Sequence, residues 1–168
     1  MWTTQYADVS PNLDPPLPPD VICPERSRWT SNQLRHLTST VVAGLAVPLL
    51  DMLQFVSDQR WWASLALTGG VELWLLSWMP GQGTKPHDHG GASGAFTVLL
   101  GQLTEDYRRR DGSIRARSCL AGATFGFGPH WSHQLRNLEA LNAASVHAYS
   151  PPLRPIREYA NLDSWPAR

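Results

Sequence analysis

Between residues 71 and 149 the chain is cut into strand-length runs, at 71–78, 95–100, 103–109, 113–119, 123–127, 133–137 and 143–149, divided by Gly, Pro, Asn and Asp. Short strands at even spacing with tight turns between them favour a sandwich or a closed barrel. Asp111-Gly112 is a strong hairpin turn signal. The first 27 residues are different: Pro11, Pro15, Pro16, Pro18, Pro19 and Pro24 break them too often for a helix or a central strand. They read as an extended arm that could lie over the barrel. From Ser31, Leu34, Leu37, Val41 and Leu45 recur at three- and four-residue spacing, which predicts a helix that stops before Pro48. Leu49, Met52, Leu53 and Val56 continue that pattern as a second, short helix, and β-structure begins at about Trp61. The expected fold is therefore mainly β: a small β-barrel with one or two N-terminal helices. The expected organisation is a proline-rich arm over 1–30 and one domain over 31–168, its barrel spanning about 61–160.

Composition removes several function classes. The 168 residues suffice for one domain with a real core and are too few for two comfortable ones. Basic and acidic residues number 14 each, so nothing in the charge suggests a nucleic acid or an anionic membrane as partner. No apolar run reaches the roughly 18 residues of a membrane helix. The first residues are polar, without the apolar core of a secretory signal. Cys23 and Cys119 sit in unrelated contexts and form no disulfide framework, so a reducing cytoplasm is the expected location.

The chemistry concentrates around Pro86-His87-Asp88-His89, which follows the glycine-rich approach Gly81-Gln82-Gly83. Residues two apart on a strand share a face, so His87 and His89 can hold one ion while Asp88 points away as a hydrogen-bond acceptor. A third ligand must come from elsewhere, and His133 opens a strand after a glycine-rich turn. An H-x-H pair alone would suit a solvated surface equally well; the spacing around this one changes the reading. Gly81, five residues, His87-x-His89, four residues, Gly94, six residues and Gly101 resemble the first cupin motif, with Gly94 where a glutamate is usual. Gly122, five residues, Gly128, then His133, three residues and Asn137 resemble the second, with Gly128 and His130 in place of the usual proline and glycine. The two motifs imply the cupin fold, a jelly-roll-like barrel, over roughly 71–149. Without the glutamate, three neutral imidazoles leave the full +2 charge on the ion, and such a site welcomes an anion, above all a thiolate.

Ser145, His147 and Tyr149 alternate along the last barrel strand and so face one way. In isolation they would read as a polar seam satisfied by backbone and water. Beside a metal site they form a plausible hydrogen-bond chain that presents the Tyr149 hydroxyl to substrate or oxygen. Trp74 and Trp78 share a face, and one of them helps wall the barrel. Trp61, Trp62 and Trp131 read as core or rim packing, His130 as a solvated loop residue, and His36 as an exposed helix residue.

Taken together, Trp78, His87-Asp88-His89, His133 and the Ser145-x-His147-x-Tyr149 strand followed by Ser150-Pro151-Pro152-Leu153 resemble the cysteine dioxygenase, or thiol dioxygenase, family of cupins, of the bacterial type without a cysteine–tyrosine crosslink. The likeness covers the chain from about residue 60 onward. It implies one iron(II) per chain held by His87, His89 and His133, with dioxygen as co-substrate. In that family the thiolate and amine of the substrate bind the metal, and both oxygen atoms go to sulfur to give a sulfinic acid. It also implies a catalytic set of Tyr149, His147 and Ser145, and substrate contacts from Trp78, Arg60 and Tyr149. Two departures stand out. Animal members carry the crosslinking cysteine where this chain has Gly94, so Tyr149 is expected to be a free phenol. The arginine that binds the substrate carboxylate, or the glutamine replacing it in members acting on 3-mercaptopropionate, aligns among Trp62, Ala63 and Ser64; Gln59 and Arg60 come into place only with a shift of a few residues. The expected substrate is a small thiol, cysteine or a relative, with no nucleic-acid or membrane partner and a monomeric chain, an oligomer being left open. Two other readings remain at this point: a three-histidine zinc-dependent hydrolase or lyase, and a non-catalytic ligand-binding cupin. Against the zinc enzyme, Glu105 and Asp106 are expected to face solvent, leaving no general base.

Overall fold

Strand-forming residues dominate after residue 61, and in the computed structural model, which describes residues 7–10 and 12–166, they build two antiparallel sheets. In chain order the elements are β1 (Ala7–Val9), α1 (Pro19–Ile22), α2 (Ser31–Met52), β2 (Trp62–Thr68), β3 (Glu72–Trp78), β4 (His87–Asp88), β5 (Ser93–Leu100), β6 (Gln102–Arg108), β7 (Ile114–Leu120), β8 (Thr124–Phe127), β9 (Ser132–Arg136), β10 (Ala143–Ser150) and β11 (Arg157–Glu158). One sheet runs β1-β2-β3-β10-β5-β8 and the other β11-β4-β9-β6-β7. The fold is mainly β, as the spacing of the strand runs predicts, and its two antiparallel sheets agree with the cupin fold that the motif resemblance implies. None of the described helices is long and apolar enough to cross a membrane.

Two cores follow from the alternation of side chains along the larger sheet. Trp78, Phe96 and Val98 face inward and pack with Leu103, Cys119 and Leu135 of the smaller sheet. Leu73, Leu75, Val146 and Ala148 face outward and pack under α2, against Leu34, Leu37, Val41 and Leu49. Both faces of β10 are thus covered, which is why nearly every residue in it is buried. Each of these helix leucines contributes on the order of 1.5–3 kcal/mol by leaving water, so α2 braces the sheet that carries half of the site.

The structure bears on the N-terminal reading in three places. α2 is two helical pieces joined across a kink, with non-helical angles at Leu45 (φ −126°, ψ 25°), so the first piece stops before Pro48 and a second, short one follows, as the spacing predicts. A proline ring clashes with the carbonyl four residues earlier, here that of Gly44, and the chain relieves the clash by kinking at the next residue. The helix also ends at Met52, so Leu53 caps it and Val56 lies in the following loop. Thirdly, the proline-rich arm holds one helical turn, α1, with proline at its start. Leu13, Leu17 and Ile22 bury themselves in the core beside α2. The arm therefore lies against the outer face of the larger sheet beside α2, and its β1 pairs with β2 at the sheet edge. Of the arm prolines, Pro11 lies outside the described residues.

Candidate metal centre and its cavity

The smaller sheet brings the histidines together. His87 on β4 stands directly opposite His133 on β9. His89 follows at the head of a turn whose Gly90 and Gly91 both adopt positive φ. Gly90 has no alternative, since a Cβ there would lie 2.5 Å from the Pro155 carbonyl oxygen. Ring nitrogens of the three residues lie within 4.8 Å of one another, the one such cluster of three among the described residues. All three side chains are buried.

The unused ring nitrogens of His87 and His133 are committed elsewhere, which fixes the tautomers of these two. His87 Nδ1 donates to the Lys85 carbonyl oxygen at 2.8 Å, leaving Nε2 for the cavity. His133 Nδ1 donates to Glu105 Oε1 at 2.7 Å, and its Nε2 lies 3.1 Å from His89 Nε2. Burial first, then the neighbouring imidazole of His133, pushes His87 down to about 3 and His89 well below its ordinary value. Both are therefore neutral at pH 7, the form a metal requires. Two nitrogens bound at about 2.1 Å to one ion would stand about 3 Å apart, close to the His89–His133 spacing. The donor set therefore fits a divalent first-row metal held by three imidazoles.

Glu105 overturns a sequence expectation. Instead of facing solvent it is fully buried, because Leu103, Glu105 and Tyr107 share the inward parity of β6. Arg117, directly opposite on β7, pairs with it at 2.5 Å. Burial alone would raise Glu105, but His133 and Arg117 together hold it below the usual carboxylate range. Asp106, of opposite parity, pairs with Arg136. Counting parity from the apolar Leu103 is the signal that finds Glu105. Asp88 behaves as the spacing predicts, accepting from Gly90 N (2.8 Å), Tyr159 Oη (2.5 Å) and Trp165 Nε1 (3.0 Å) on the far side of the strand.

The larger sheet supplies a polar chain. Trp78 Nε1 donates to Ser145 Oγ at 2.8 Å, Ser145 Oγ lies 2.8 Å from His147 Nε2, and His147 Nδ1 lies 3.1 Å from Tyr149 Oη. An indole N–H can only donate, and the buried Ser145 hydroxyl finds its acceptor in His147 Nε2. The Nδ1–H of His147 then donates to the Tyr149 oxygen, and the phenol proton is left for the cavity. Burial keeps His147 neutral, and burial together with the Glu72 charge raises Tyr149, so the phenol keeps its proton. The Tyr149 ring stacks on His89 at 4.6 Å, tying this chain to the metal ligands.

Both sets line one cavity of about 730 Å³, with Arg60, Trp62, Glu72, Trp74 and Trp78. Ser145 stands behind it. Arg60 ends the loop before β2, and its guanidinium lies 4.5 Å over the Trp78 ring. Gln59, by contrast, is exposed. Gly94 faces Tyr149 across β5 and β10, and a Cβ there would lie 2.3 Å from Phe127 Cζ and 2.9 Å from Tyr149 Cδ1. Phe127 thus fills the space beside the phenol. His130 and His36 are exposed, and Trp131 packs on Tyr107 and Phe127.

Comparison with known proteins extends this geometry. The family model for cysteine dioxygenase type I matches residues 50–162. No curated protein matches the chain. Among solved structures, the TT1209 protein of Thermus thermophilus aligns at 17% identity and a TM-score of 0.55, over 61% of this chain and 93% of that one. A Klebsiella pneumoniae protein with a double-stranded β-helix domain aligns at 15% and 0.56, over 66% and 87%. Oxalate oxidase in complex with glycolate aligns at 18% and 0.54, over 61% of this chain and only 56% of that one. At such identities these likenesses speak for the fold alone.

Proposed function

Because the chain belongs to the cysteine dioxygenase type I family, a family of cupin metal-dependent enzymes, we propose that it is an iron(II) thiol dioxygenase, converting a small thiol and dioxygen to a sulfinic acid. The observation that carries this reading is the convergence, in one cavity, of three buried imidazoles and a phenol whose proton is free. The reaction balances without a further reductant: sulfur loses four electrons, dioxygen gains four, and both oxygen atoms end on sulfur.

His87, His89 and His133 would hold the metal, which when bound supplies positions for thiolate and dioxygen and a route for their electrons. The protein's own groups do the rest. Three neutral ligands leave the cavity electrostatically receptive to a thiolate. Arg60, placed over the Trp78 ring, lines the cavity with a charge suited to a substrate carboxylate. Tyr149 offers its proton as a hydrogen bond to the bound carboxylate or oxygen, and His147, Ser145 and Trp78 keep the phenol aimed. The tryptophans exclude water, which strengthens each of these charge interactions. Arg60 meets the need for a carboxylate partner, so cysteine and 3-mercaptopropionate are both candidate substrates.

A zinc hydrolase could not use Glu105 as its base, since that carboxylate is occupied by His133 and Arg117. The test is oxygen uptake by iron(II)-loaded protein with cysteine, 3-mercaptopropionate, cysteamine and mercaptosuccinate, with mass spectrometry of the products. A sulfinate is the expected product. Activity with zinc and none with iron would transfer the site to hydrolytic chemistry. Retained iron with no turnover of any thiol would make it a binding cupin.

A further inference from the structure

The cavity carries a charge that the dioxygenase reading does not use. Glu72 opens β3, the strand whose inward residues Trp74, Leu76 and Trp78 continue along the same wall of the cavity. It is only 8% exposed. Among the described residues the Arg/Lys–carboxylate ion pairs are Lys85–Glu158, Arg117–Glu105 and Arg136–Asp106, and none includes Glu72. A buried carboxylate without a cation is costly, and its burial raises its proton affinity accordingly.

Its surroundings suit a positive ligand. Trp74 is the next inward residue, and Trp62 packs edge-on against it with ring centroids 5.1 Å apart. Trp62 is 59% exposed despite that contact, so its ring stands at the cavity rim. Trp74 turns its indole N–H toward Glu72, and a buried carboxylate with indole rings about it can hold an ammonium group, by ion pairing and by attraction to a ring quadrupole. Arg60 sits at the other end of the strand against Trp78, and Lys85 and Arg154, which also line the cavity, form no ion pair with Glu72. Six residues of extended chain, about 20 Å of backbone, separate Glu72 from Trp78. The Tyr149 phenol feels both charges, raised by Glu72 and lowered by Arg60. The Arg60 cation and the Glu72 carboxylate thus lie at opposite ends of the β3 wall.

We propose that Glu72, Trp62 and Trp74 form a subsite for an ammonium group, and that the thiol this cavity selects carries a protonated amine several bonds from its sulfur. This rests on the dioxygenase reading for the fate of the sulfur but not for the binding of the amine. An ammonium so placed compensates Glu72, stays clear of Arg60, and leaves the thiolate free to reach the histidines. A carboxylate elsewhere on the same molecule can still meet Arg60.

The test separates binding from turnover. Iron(II)-loaded protein is titrated without oxygen, by calorimetry, with ω-aminothiols of two to six carbons, each against the ω-mercaptoalcohol of equal length. The aminothiol is expected to bind about tenfold more tightly than its alcohol at the best length, and Glu72→Gln is expected to bring that ratio close to one. Equal affinities at every length in the wild type would overturn the subsite, as would a ratio that survives in Glu72→Gln. Trp74→Leu gives a second check, since it should reduce the ratio while keeping the carboxylate. Oxygen is then admitted and sulfinates are counted. An intact binding ratio with no sulfinate from any thiol, 3-mercaptopropionate included, sinks the dioxygenase reading and leaves the subsite standing.

Discussion

His133 Nδ1 lies 2.7 Å from Glu105 Oε1, and both side chains are almost completely buried. The carboxylate fixes the tautomer that turns Nε2 toward the metal and makes the imidazole a stronger donor. Glu105→Gln keeps the shape but loses the charge and leaves Arg117 without its partner. Metal affinity should fall about 10- to 100-fold, read by competition with a chelating dye. An unchanged affinity would mean that Glu105 serves only the packing of β6 on β7.

The buried histidines set an acid limit for the metal-free protein. His87 is pushed down to about 3, and His89 and His147 are also lowered, burial being the first cause in each. The unfolded chain regains ordinary histidines, titrating at about 6.5. It then binds more protons than the native state below that pH, so stability falls as pH falls. The loss should begin near pH 6.5 and continue toward about pH 3. Glu105, held low, adds a further loss at the acid end of that window. Melting temperatures between about pH 8 and pH 4 check this, and a flat profile from roughly 7 to 5 would contradict it.

Tyr149→Phe removes the hydroxyl and leaves the His147 Nδ1–H without an acceptor. Sulfinate formation should drop about 10²-fold, the usual effect of deleting one aimed hydrogen-bond donor at a reacting centre. Iron content should stay the same, because the ring that stacks on His89 remains. Loss of iron with loss of rate would assign Tyr149 to holding His89 instead.

Gly94 and Phe127 are predicted to be coupled through the 2.3 Å approach of a built Cβ to the Phe127 ring. Gly94→Ala alone should destabilise by about 1–3 kcal/mol through overpacking. Phe127→Leu should remove most of that penalty, giving a nonzero interaction energy in a double-mutant cycle. Additive effects in denaturant melts would show that the backbone moves instead of the ring.

How far the sequence discloses this site depends on which physical signal each residue carries. His87, His89, Ser145, His147 and Tyr149 declare themselves because strand alternation is strict, and the structure places all five on the faces that parity predicts. The strand runs from β3 and from β5 to β10 are legible because Gly and Asp-Gly turns punctuate them. β2 escapes definition, since Ala63, Ala66 and Ser64 blur its pattern. Pro48 is read correctly as a break, since the backbone leaves helical angles at Leu45, whereas the end of the second piece at Met52 escapes a spacing that runs on to Val56. Glu105 misleads because a charged residue near a turn normally faces water, and only its cross-strand partners reveal otherwise. The reach of Arg60 depends on a loop path, which no periodicity encodes.

That loop path sets what the Arg60 side chain can reach. The Arg60 guanidinium lies over Trp78 at 4.5 Å, and Trp78 in turn anchors Ser145 through its indole N–H. A guanidinium stacks and forks at once, binding a carboxylate through two parallel hydrogen bonds, whereas a lysine offers a point charge without a plane. Arg60→Lys should therefore keep the charge and still raise KM for 3-mercaptopropionate by about tenfold, the value of roughly 1.4 kcal/mol. Cysteamine, which has no carboxylate, should lose far less. The Ser145–His147–Tyr149 chain stays in place under this substitution, so kcat at saturating thiol should change much less than KM. Equal losses for both thiols would show that Arg60 acts by holding Trp78, and the carboxylate partner would then have to be sought at Arg154, on the rim of the same cavity.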